Sequence, residues 1–250
     1  MQIEYRRRFS SALGRDMEYK VYGHRGKPVL VFPTSEGRFY QWEDFGMIDA
    51  LDDFIEQGKV QLWTVDGIDS ETFFSTSWDR QAAMRRQESY FAYLDQELVP
   101  SILGESRDAN GGTPQELLVT GASMGAFHAA NFFFRFPWNI DTVVGLSGVY
   151  STRYFFGEDR PVEIYLNSPT DYLPNNSDPA YLDKFRASRL IFCCGQGAWE
   201  DEMIEETRVL ERVLAEKGIP AWVDFWGTDV NHDWDWWRTQ IVYFFGKVFS

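Results

Sequence analysis

A serine set among small residues, where an apolar run gives way to a helical pattern, is the feature of this sequence best suited to covalent chemistry. Residues 117–120 predict a buried strand and 126–136 a helix, and residues 121–125 between them read Gly-Ala-Ser-Met-Gly. A serine on so sharp a turn is strained, and its neighbours must be small so that helix and strand pack closely. Free N–H groups at the helix start stabilise developing negative charge. The pattern predicts a nucleophile elbow with Ser123 as the nucleophile.

A serine hydroxyl is a poor nucleophile near neutral pH and needs an adjacent imidazole. The chain has three histidines. His24 precedes the first predicted parallel strand, and His128 is expected to be a packed or hydrogen-bonded core residue of the elbow helix that points away from Ser123. His232 follows the last predicted strand and precedes the last predicted helix. The order nucleophile, acid, histidine along the chain also favours His232 as the general base.

The carboxylate that orients the imidazole is expected after the predicted strand 190–194, where Glu200, Asp201 and Glu202 are neighbours. We expect Glu202 to open the following helix and to face solvent, where it complements the helix dipole. Between the other two we favour Glu200, with Asp201 as the N-cap of the helix. Asp201 remains the alternative acid.

An oxyanion hole requires two backbone N–H donors. One is expected from Met124, the residue after the nucleophile, and the other from the loop after the first parallel strand. In that loop we predict Ser35 as the donor, with Thr34 as the second choice.

Apolar runs of strand length alternate with stretches of helix length, which predicts an α/β fold with a mostly parallel sheet covered by helices on both faces. The predicted strands are 28–32, 60–65, 117–120, 142–146, 190–194 and 221–225, and the predicted helices are 45–57, 79–103, 126–136, 201–217 and 233–249. The first 27 residues are expected to add one or two antiparallel strands. Residues 151–188 exceed a simple crossover and predict a short lid-like insertion over the active-site edge, with a solvated surface excursion as the alternative.

Composition limits the class of partner. With 250 residues, 44% of them hydrophobic, the chain can bury one full core, so residues 1–250 are expected to form a single domain. A net charge of -14 argues against nucleic acid or anionic lipid as a partner. No apolar run reaches signal-peptide or membrane-spanning length, so we expect a soluble, cytoplasmic protein without a membrane partner. The sequence shows no metal-ligand spacing and no phosphate loop, so neither a metal nor a cofactor is expected.

Several side chains near the predicted site have two interpretations. Trp199 and Trp234 flank the acid and the base and are candidate substrate-binding residues, whereas most other tryptophans are expected to pack the last helix. The adjacent Cys193 and Cys194 are expected to be small buried residues at a strand end. A set of polar residues could select substrates or form structural salt bridges, and we favour the structural interpretation. The set comprises Glu36, Arg38, Tyr40, Asp66 and Asp69.

Four segments in order, residues 32–37, 121–126, 194–201 and 231–234, resemble the putative-esterase or esterase D-like branch of the α/β-hydrolase superfamily. The resemblance implies the α/β-hydrolase fold and a serine hydrolase that cleaves a small-molecule carboxylic ester through an acyl-enzyme. It also implies the same triad and oxyanion residues. The alternatives are an acyltransferase that uses the same site and a non-catalytic binding protein on a hydrolase fold. A homodimer is a further expectation.

Overall fold

A sheet of eight strands forms the centre of the computed structural model, which describes residues 1–77, 79–158 and 160–250. The strands are β1 (Ile3–Ser10), β2 (Arg15–Tyr22), β3 (Lys27–Phe32), β4 (Val60–Val65), β5 (Leu117–Ala122), β6 (Ile140–Leu146), β7 (Arg189–Cys194) and β8 (Trp222–Phe225). Their spatial order is β1-β2-β4-β3-β5-β6-β7-β8. Strands β3 to β8 are parallel, and the β1–β2 hairpin joins β4 in antiparallel pairing.

All six predicted parallel strands are present in the described chain, and their bounds lie within two residues of the predicted ones. The expected N-terminal antiparallel strands are present as β1 and β2. Strands β4 and β5 are buried along their whole length, which is typical of parallel strands that are covered on both faces.

The described residues form twelve α-helices. They are α1 (Gln41–Asp44), α2 (Met47–Ala50), α3 (Asp52–Glu56), α4 (Arg80–Tyr93), α5 (Val99–Ala109), α6 (Met124–Arg135), α7 (Arg153–Phe156), α8 (Val162–Tyr165), α9 (Pro169–Tyr172), α10 (Pro179–Ala187), α11 (Asp201–Glu216) and α12 (Trp234–Val248). Short 3-10 turns occur at Asp69–Glu71, Pro137–Asn139 and Leu173–Asn175. None of the helices in the described part of the chain combines the length and the apolar character that a bilayer-crossing segment needs.

Helices cover both faces of the sheet, as predicted. Alternate residues of β3 divide between two cores: Leu30 and Phe32 pack with α4, α5, α6 and α11, whereas Val29 and Val31 pack with α2 and α12. This division follows from the two-residue repeat of a strand, which sends successive side chains to opposite faces. Helices α6 and α12 therefore lie on opposite sides of the sheet.

Two predicted helices differ from the observed ones. The predicted helix 45–57 is two short helices, α2 and α3, divided at Leu51, and Gly46 with a φ of 72° separates α2 from the preceding α1. The predicted helix 79–103 extends further, since α4 continues through a π-helical segment, Leu94–Leu98, into α5. Pro100 lies in the first turn of α5, directly after the π-helical segment, and it has no N–H to donate to the preceding turn of this continuous helix.

The predicted lid-like segment, residues 151–188, holds four helices and a 3-10 turn, and Asp159 within it lies outside the described residues. Its last helix, α10, packs Phe185 against Phe133 and Phe134 with ring centroids 5.4 and 5.3 Å apart, so this part belongs to the core under the sheet. Only the first part, around α7, borders the candidate site described below.

Candidate active site

Ser123 lies between β5 and α6 on a sharp turn with φ 55° and ψ -123°, a conformation that is rare and strained for a residue other than glycine. The small neighbours that the sequence supplies are required here. A Cβ on Gly121 would lie 2.3 Å from the backbone of Gly125, and a Cβ on Gly125 would lie 2.5 Å from the carbonyl oxygen of Phe32. The turn is held by a hydrogen bond from the Ser123 N–H to the Leu146 carbonyl at 2.8 Å. The hydroxyl is thereby presented at the carboxyl end of the sheet.

His232 is placed by the loop between β8 and α12 with its Nε2 atom 2.9 Å from the Ser123 hydroxyl oxygen. Its backbone N–H donates to the carbonyl of Ala198 at 3.0 Å, and its ring packs edge-on against Trp237 at 4.8 Å. With the proton on Nδ1, Nε2 can accept the serine hydroxyl proton. The imidazole therefore has the position that a general base for Ser123 requires.

Glu200 is fully buried and lies behind the imidazole, with Oε2 3.3 Å from Nδ1 of His232. Its Oε1 atom accepts a hydrogen bond from the Ser147 hydroxyl at 2.6 Å, and that hydroxyl accepts one from Nε1 of Trp237 at 3.2 Å. The thiol of Cys194 approaches Oε2 at 3.5 Å. The distance to His232 is long for a hydrogen bond.

Asp201, the alternative acid, is exposed and is the first residue of α11. The expectation that it caps this helix was wrong, because the N-cap position is occupied by Glu200, whose side chain makes no capping bond and turns inward to His232. Glu202 is exposed in the first turn of α11, as expected, and it also lines the cavity described next.

A cavity of about 280 Å³ opens at Ser123 and His232. Aromatic and apolar side chains make up most of its wall, and Glu202 is the one carboxylate among the described residues that line it. The lining residues are Ser35, Phe74, Ser123, Met124, Val149, Tyr154, Phe155, Trp199, Glu202, Met203 and His232. The Ser123 hydroxyl and the His232 ring therefore border a mainly apolar cavity, as is typical of small-molecule sites.

The two tryptophans proposed from the sequence have different surroundings. Trp199 lines the cavity with 85% of its surface exposed and a φ of 66°, an unusual conformation for a bulky residue. Trp234 is not among the described residues of the cavity wall. Its ring stacks on Phe45 with centroids 4.4 Å apart and contacts Trp237 at 5.0 Å, so it packs the start of α12 against Phe45.

Backbone donors border the same cavity. Ser35 and Met124 both line it, and Met124, as the first residue of α6, has no partner for its N–H within the helix. The N–H of Thr34, the second choice, donates to the Gln41 side chain at 2.8 Å. The structure thus brings Ser35 and Met124 together with Ser123, while the Thr34 amide is engaged elsewhere.

The polar set near the site forms structural contacts. Asp66 accepts hydrogen bonds from Nε of Arg38 at 2.7 Å and from the Phe39 N–H at 3.0 Å. The expectation for His128 is confirmed, because it is buried and its Nε2 atom lies 2.8 Å from Oδ1 of Asp69. These contacts favour the structural interpretation of Arg38, Asp66 and Asp69.

Cys193 and Cys194 are buried at the end of β7, as expected, and burial raises the pKa of both thiols. Within residues 1–77, 79–158 and 160–250, no group of three or more His, Cys, Asp or Glu side chains could hold a metal ion.

Sequence reasoning missed Ser147, which donates a hydrogen bond to Glu200, whereas Trp237 was placed near the site but expected to pack the last helix, and its ring also contacts His232. Ser147 directly follows β6, so its position at the carboxyl end of a strand beside β5 was a usable signal. It also missed the aromatic wall formed by Phe74, in a turn, and by Tyr154 and Phe155, in the four-residue helix α7, which is too short to give a periodic pattern.

Comparisons with known proteins identify the family and the fold of this chain. The sequence profile of a family described as "Putative esterase" matches residues 10–245. No curated protein sequence matches the chain.

Among solved structures, the fold is similar to a ferulic acid esterase, with a TM-score of 0.72, 16% identity, and coverage of 97% of this chain and 95% of that one. It is also similar to the fluorophosphonate-binding serine hydrolase F of Staphylococcus aureus, with a TM-score of 0.71, 12% identity, and coverage of 100% and 98%. An S-formylglutathione hydrolase from Agrobacterium tumefaciens gives a TM-score of 0.69 at 14% identity, with coverage of 98% and 93%. These structures have the α/β-hydrolase fold, and this chain shares it.

Proposed function

Because this chain belongs to the putative esterase family, we propose that it hydrolyses carboxylic esters through an acyl-enzyme on Ser123, with His232 and Glu200 completing a catalytic triad. The observation that carries the proposal is the 2.9 Å contact between the Ser123 hydroxyl and Nε2 of His232, with a buried carboxylate at Nδ1 of the same ring. A nucleophile, a base and a group that orients the base are the parts such chemistry needs.

In the acylation step, the Ser123 oxygen attacks the ester carbonyl carbon while Nε2 of His232 takes the hydroxyl proton. The buried Glu200 carboxylate holds the proton on Nδ1 and stabilises the imidazolium. The negative charge on the former carbonyl oxygen is stabilised by the N–H groups of Ser35 and Met124, supported by the N-terminal dipole of α6. Collapse of the intermediate breaks the ester C–O bond, and the imidazolium gives its proton to the leaving alcohol.

In the deacylation step, a water molecule replaces the alcohol, and His232 takes one of its protons as the water oxygen attacks the acyl carbon. Collapse of this second intermediate breaks the bond to the Ser123 oxygen, which recovers its proton from His232. The products are the carboxylic acid and the free enzyme. The same acyl-enzyme would give an acyltransferase if an alcohol replaced this water.

The cavity supports a substrate with an apolar or aromatic part. Its volume of about 280 Å³ and the side chains of Phe74, Phe155 and Met203 suit a compact apolar group held by burial and ring contacts. We therefore propose a small-molecule ester whose acyl or alcohol portion fills this space.

The test is burst-phase hydrolysis of p-nitrophenyl esters from acetate to octanoate by the wild type and by Ser123→Ala. We expect a burst of one p-nitrophenol per active site in the wild type and its loss in the variant. The longest acyl chain in the series that still reacts indicates the size of the acyl pocket.

A second measurement separates the alternatives. Fluorophosphonate should label the folded wild type at Ser123 and leave Ser123→Ala unlabelled. Absence of labelling in folded wild-type protein would favour the non-catalytic binding protein. Ester product in place of acid when a second alcohol is added would favour the acyltransferase.

A further inference from the structure

The loop that carries the Ser35 amide has a conformation that a free loop would not favour. Glu36, the next residue, has a φ of 54° in the left-handed region, although it carries a Cβ. Such a conformation persists only where surrounding contacts hold it, and it is commonly found at functional sites. The contact that holds Glu36 is therefore of interest for the Ser35 donor.

One hydrogen bond, from the Gly37 N–H to the Thr34 carbonyl at 2.9 Å, closes the turn itself, and the side-chain contact comes from Asp69, a carboxylate that is 1% exposed and lies in the segment after β4. Its Oδ2 atom accepts a hydrogen bond from the Glu36 N–H at 3.0 Å. Its Oδ1 atom lies 2.8 Å from Nε2 of His128. One side chain thus contacts both elements that bear the proposed oxyanion donors: the loop of Ser35, and α6, which begins at Met124.

His128 is a rigid anchor for this carboxylate. Its ring contacts Phe32, Phe73, Tyr90 and Phe127, with centroids between 5.6 and 6.3 Å away. Its Nδ1 atom is buried and has no hydrogen-bond partner among the described residues, so Asp69 is the polar contact that orients the ring. A ring packed in this way cannot turn to another partner.

A buried carboxylate is a costly way to satisfy one backbone amide, because removal of its charge from water must be offset by strong hydrogen bonds. Charge-assisted hydrogen bonds are shorter and more directional than neutral ones. The nitrogen of Glu36 belongs to the peptide unit that follows the Cα of Ser35. A fixed Glu36 amide therefore restricts rotation of the backbone on the C-terminal side of the Ser35 Cα. The Ser35 N–H lies on the other side of the same Cα.

We propose that Asp69, anchored on α6 by His128, is a positioning residue that fixes the Ser35 N–H relative to the Met124 N–H around the developing oxyanion. This inference rests on the proposed function, since Ser35 is an oxyanion donor only if Ser123 forms an acyl-enzyme. Asp69 contacts neither substrate nor reacting atoms and acts through the loop.

Asp66 provides a matched control within the same segment. It is also buried and also holds this loop, through Arg38 and the N–H of Phe39. Its contacts lie three residues or more beyond Ser35 in sequence. A general effect of loop stability should therefore appear in variants of both aspartates, whereas oxyanion positioning should appear only in variants of Asp69.

The experiment compares Asp69→Ala, Asp69→Asn and Asp66→Asn in the full chain. Three quantities are measured for one acyl group: kcat and KM for its p-nitrophenyl ester, and the inhibition constant of the matching trifluoromethyl ketone. The serine oxygen adds to the carbonyl carbon of this ketone, and the adduct carries an oxyanion. We expect Asp69→Ala to lower kcat about 10- to 100-fold, less than the loss of a whole oxyanion donor. The ketone should bind more weakly by a similar factor, with KM changed less than about threefold, because only the transition state uses the oxyanion hole.

Asp69→Asn keeps an oxygen for the Glu36 N–H and should recover most of the lost kcat. Asp66→Asn should lower the melting temperature while kcat and ketone affinity stay near those of the wild type. Equal losses of kcat in the Asp66 and Asp69 variants would overturn the proposal in favour of a purely structural role. So would unchanged ketone affinity in folded Asp69→Ala.

A second pair of variants tests the same contact at Glu36. This residue is exposed, so its replacement does not alter the core. Glu36→Gly keeps the N–H and tolerates a positive φ, so it should match the wild type. Glu36→Pro removes the N–H and cannot adopt φ 54°, so it should reproduce the loss of kcat and ketone affinity. If Glu36→Pro retained both, the proposal would be wrong even if Asp69→Ala failed to fold.

Failure of this inference can be distinguished from failure of the proposed function. If Ser123→Ala keeps the esterase activity, the proposed mechanism itself fails. If Ser123→Ala is inactive while Asp69→Ala and Glu36→Pro keep full kcat, only the positioning role fails.

Discussion

At the scale of single residues, Glu200 and Asp201 are neighbouring carboxylates with opposite surroundings. Glu200 is fully buried against His232 and Ser147, whereas Asp201 is exposed at the start of α11. We expect Glu200→Gln to lower kcat by about 10³- to 10⁴-fold, because an amide in place of the carboxylate favours the wrong imidazole tautomer and cannot stabilise the imidazolium. Steady-state kinetics on a p-nitrophenyl ester measures the effect.

Asp201→Asn is the control for that change, since it alters the adjacent carboxylate in the same way. It should keep kcat within about twofold of the wild type, as expected for an exposed side chain away from the reacting atoms. The reverse result, with Asp201→Asn inactive and Glu200→Gln active, would assign the triad acid to Asp201.

Glu202 is the residue that gives the cavity its charge. Since it is the one carboxylate among the described lining residues, we expect esters with a negative group to react more slowly than neutral ones of the same acyl group. Glu202→Gln should raise kcat/KM for the anionic ester about two- to fivefold, the range for an exposed charge pair, and leave the neutral ester unchanged.

Glu205→Gln, an exposed change on the same helix outside the described cavity wall, removes the same net charge and should not alter the ratio between the two esters. An equal effect of both variants would indicate a general influence of net charge. Preference for the anionic ester in the wild type would contradict the prediction for Glu202.

At the scale of elements, the close approach of α6 to β3 depends on Gly125. A Cβ there would meet the carbonyl oxygens of Phe32 and Pro33 at 2.5 and 2.6 Å, and backbone atoms cannot move aside as a flexible side chain can. We expect Gly125→Ala to lower the free energy of unfolding by about 3 kcal/mol, at the upper end for an overpacked site. It should also abolish the acylation burst, because Ser123 is the N-cap of α6 and moves away from His232 when the helix shifts.

Gly104 in α5 supplies the matched comparison, because a Cβ there meets no atom within 4 Å. Gly104→Ala should raise the free energy of unfolding by about 0.5–1 kcal/mol through helix propensity, with the burst intact. Urea denaturation of both variants gives the two values. If Gly125→Ala were as stable as the wild type, the close packing of α6 on β3 would be disproved.

Local chemistry explains which elements could be predicted from the sequence. The elbow is recognisable because its small residues, strand and helix are contiguous, and His232 was found because only three histidines exist. The N-cap of α11 was misplaced because the inward turn of Glu200 depends on contacts with His232 and Ser147, which are remote in sequence. The stacking of Trp234 on Phe45 could not be predicted for the same reason, since Phe45 is remote in sequence.

At the scale of the whole molecule, both thiols lie inside the core at the end of β7, and burial raises the pKa of each. The thiolate is the reactive form, so a raised pKa and burial both suppress modification. We expect negligible reaction of native protein with a thiol reagent such as DTNB at pH 8, and reaction of two thiols per chain in denaturant. The labelling rate should follow global unfolding, measured in parallel by circular dichroism. Fast labelling of the native protein would show that β7 opens locally.

The separation of Ser123 and His232 along the chain, 109 residues, has a kinetic consequence. The β5–α6 unit that holds the serine can form from local contacts, but the histidine arrives only after β6, β7 and β8 have paired in order along the sheet edge. Contacts of such high sequence separation close late, because the entropy of large loops must first be overcome. Regain of esterase activity should therefore lag behind regain of helical signal during refolding, which makes turnover a sensitive indicator of completed topology.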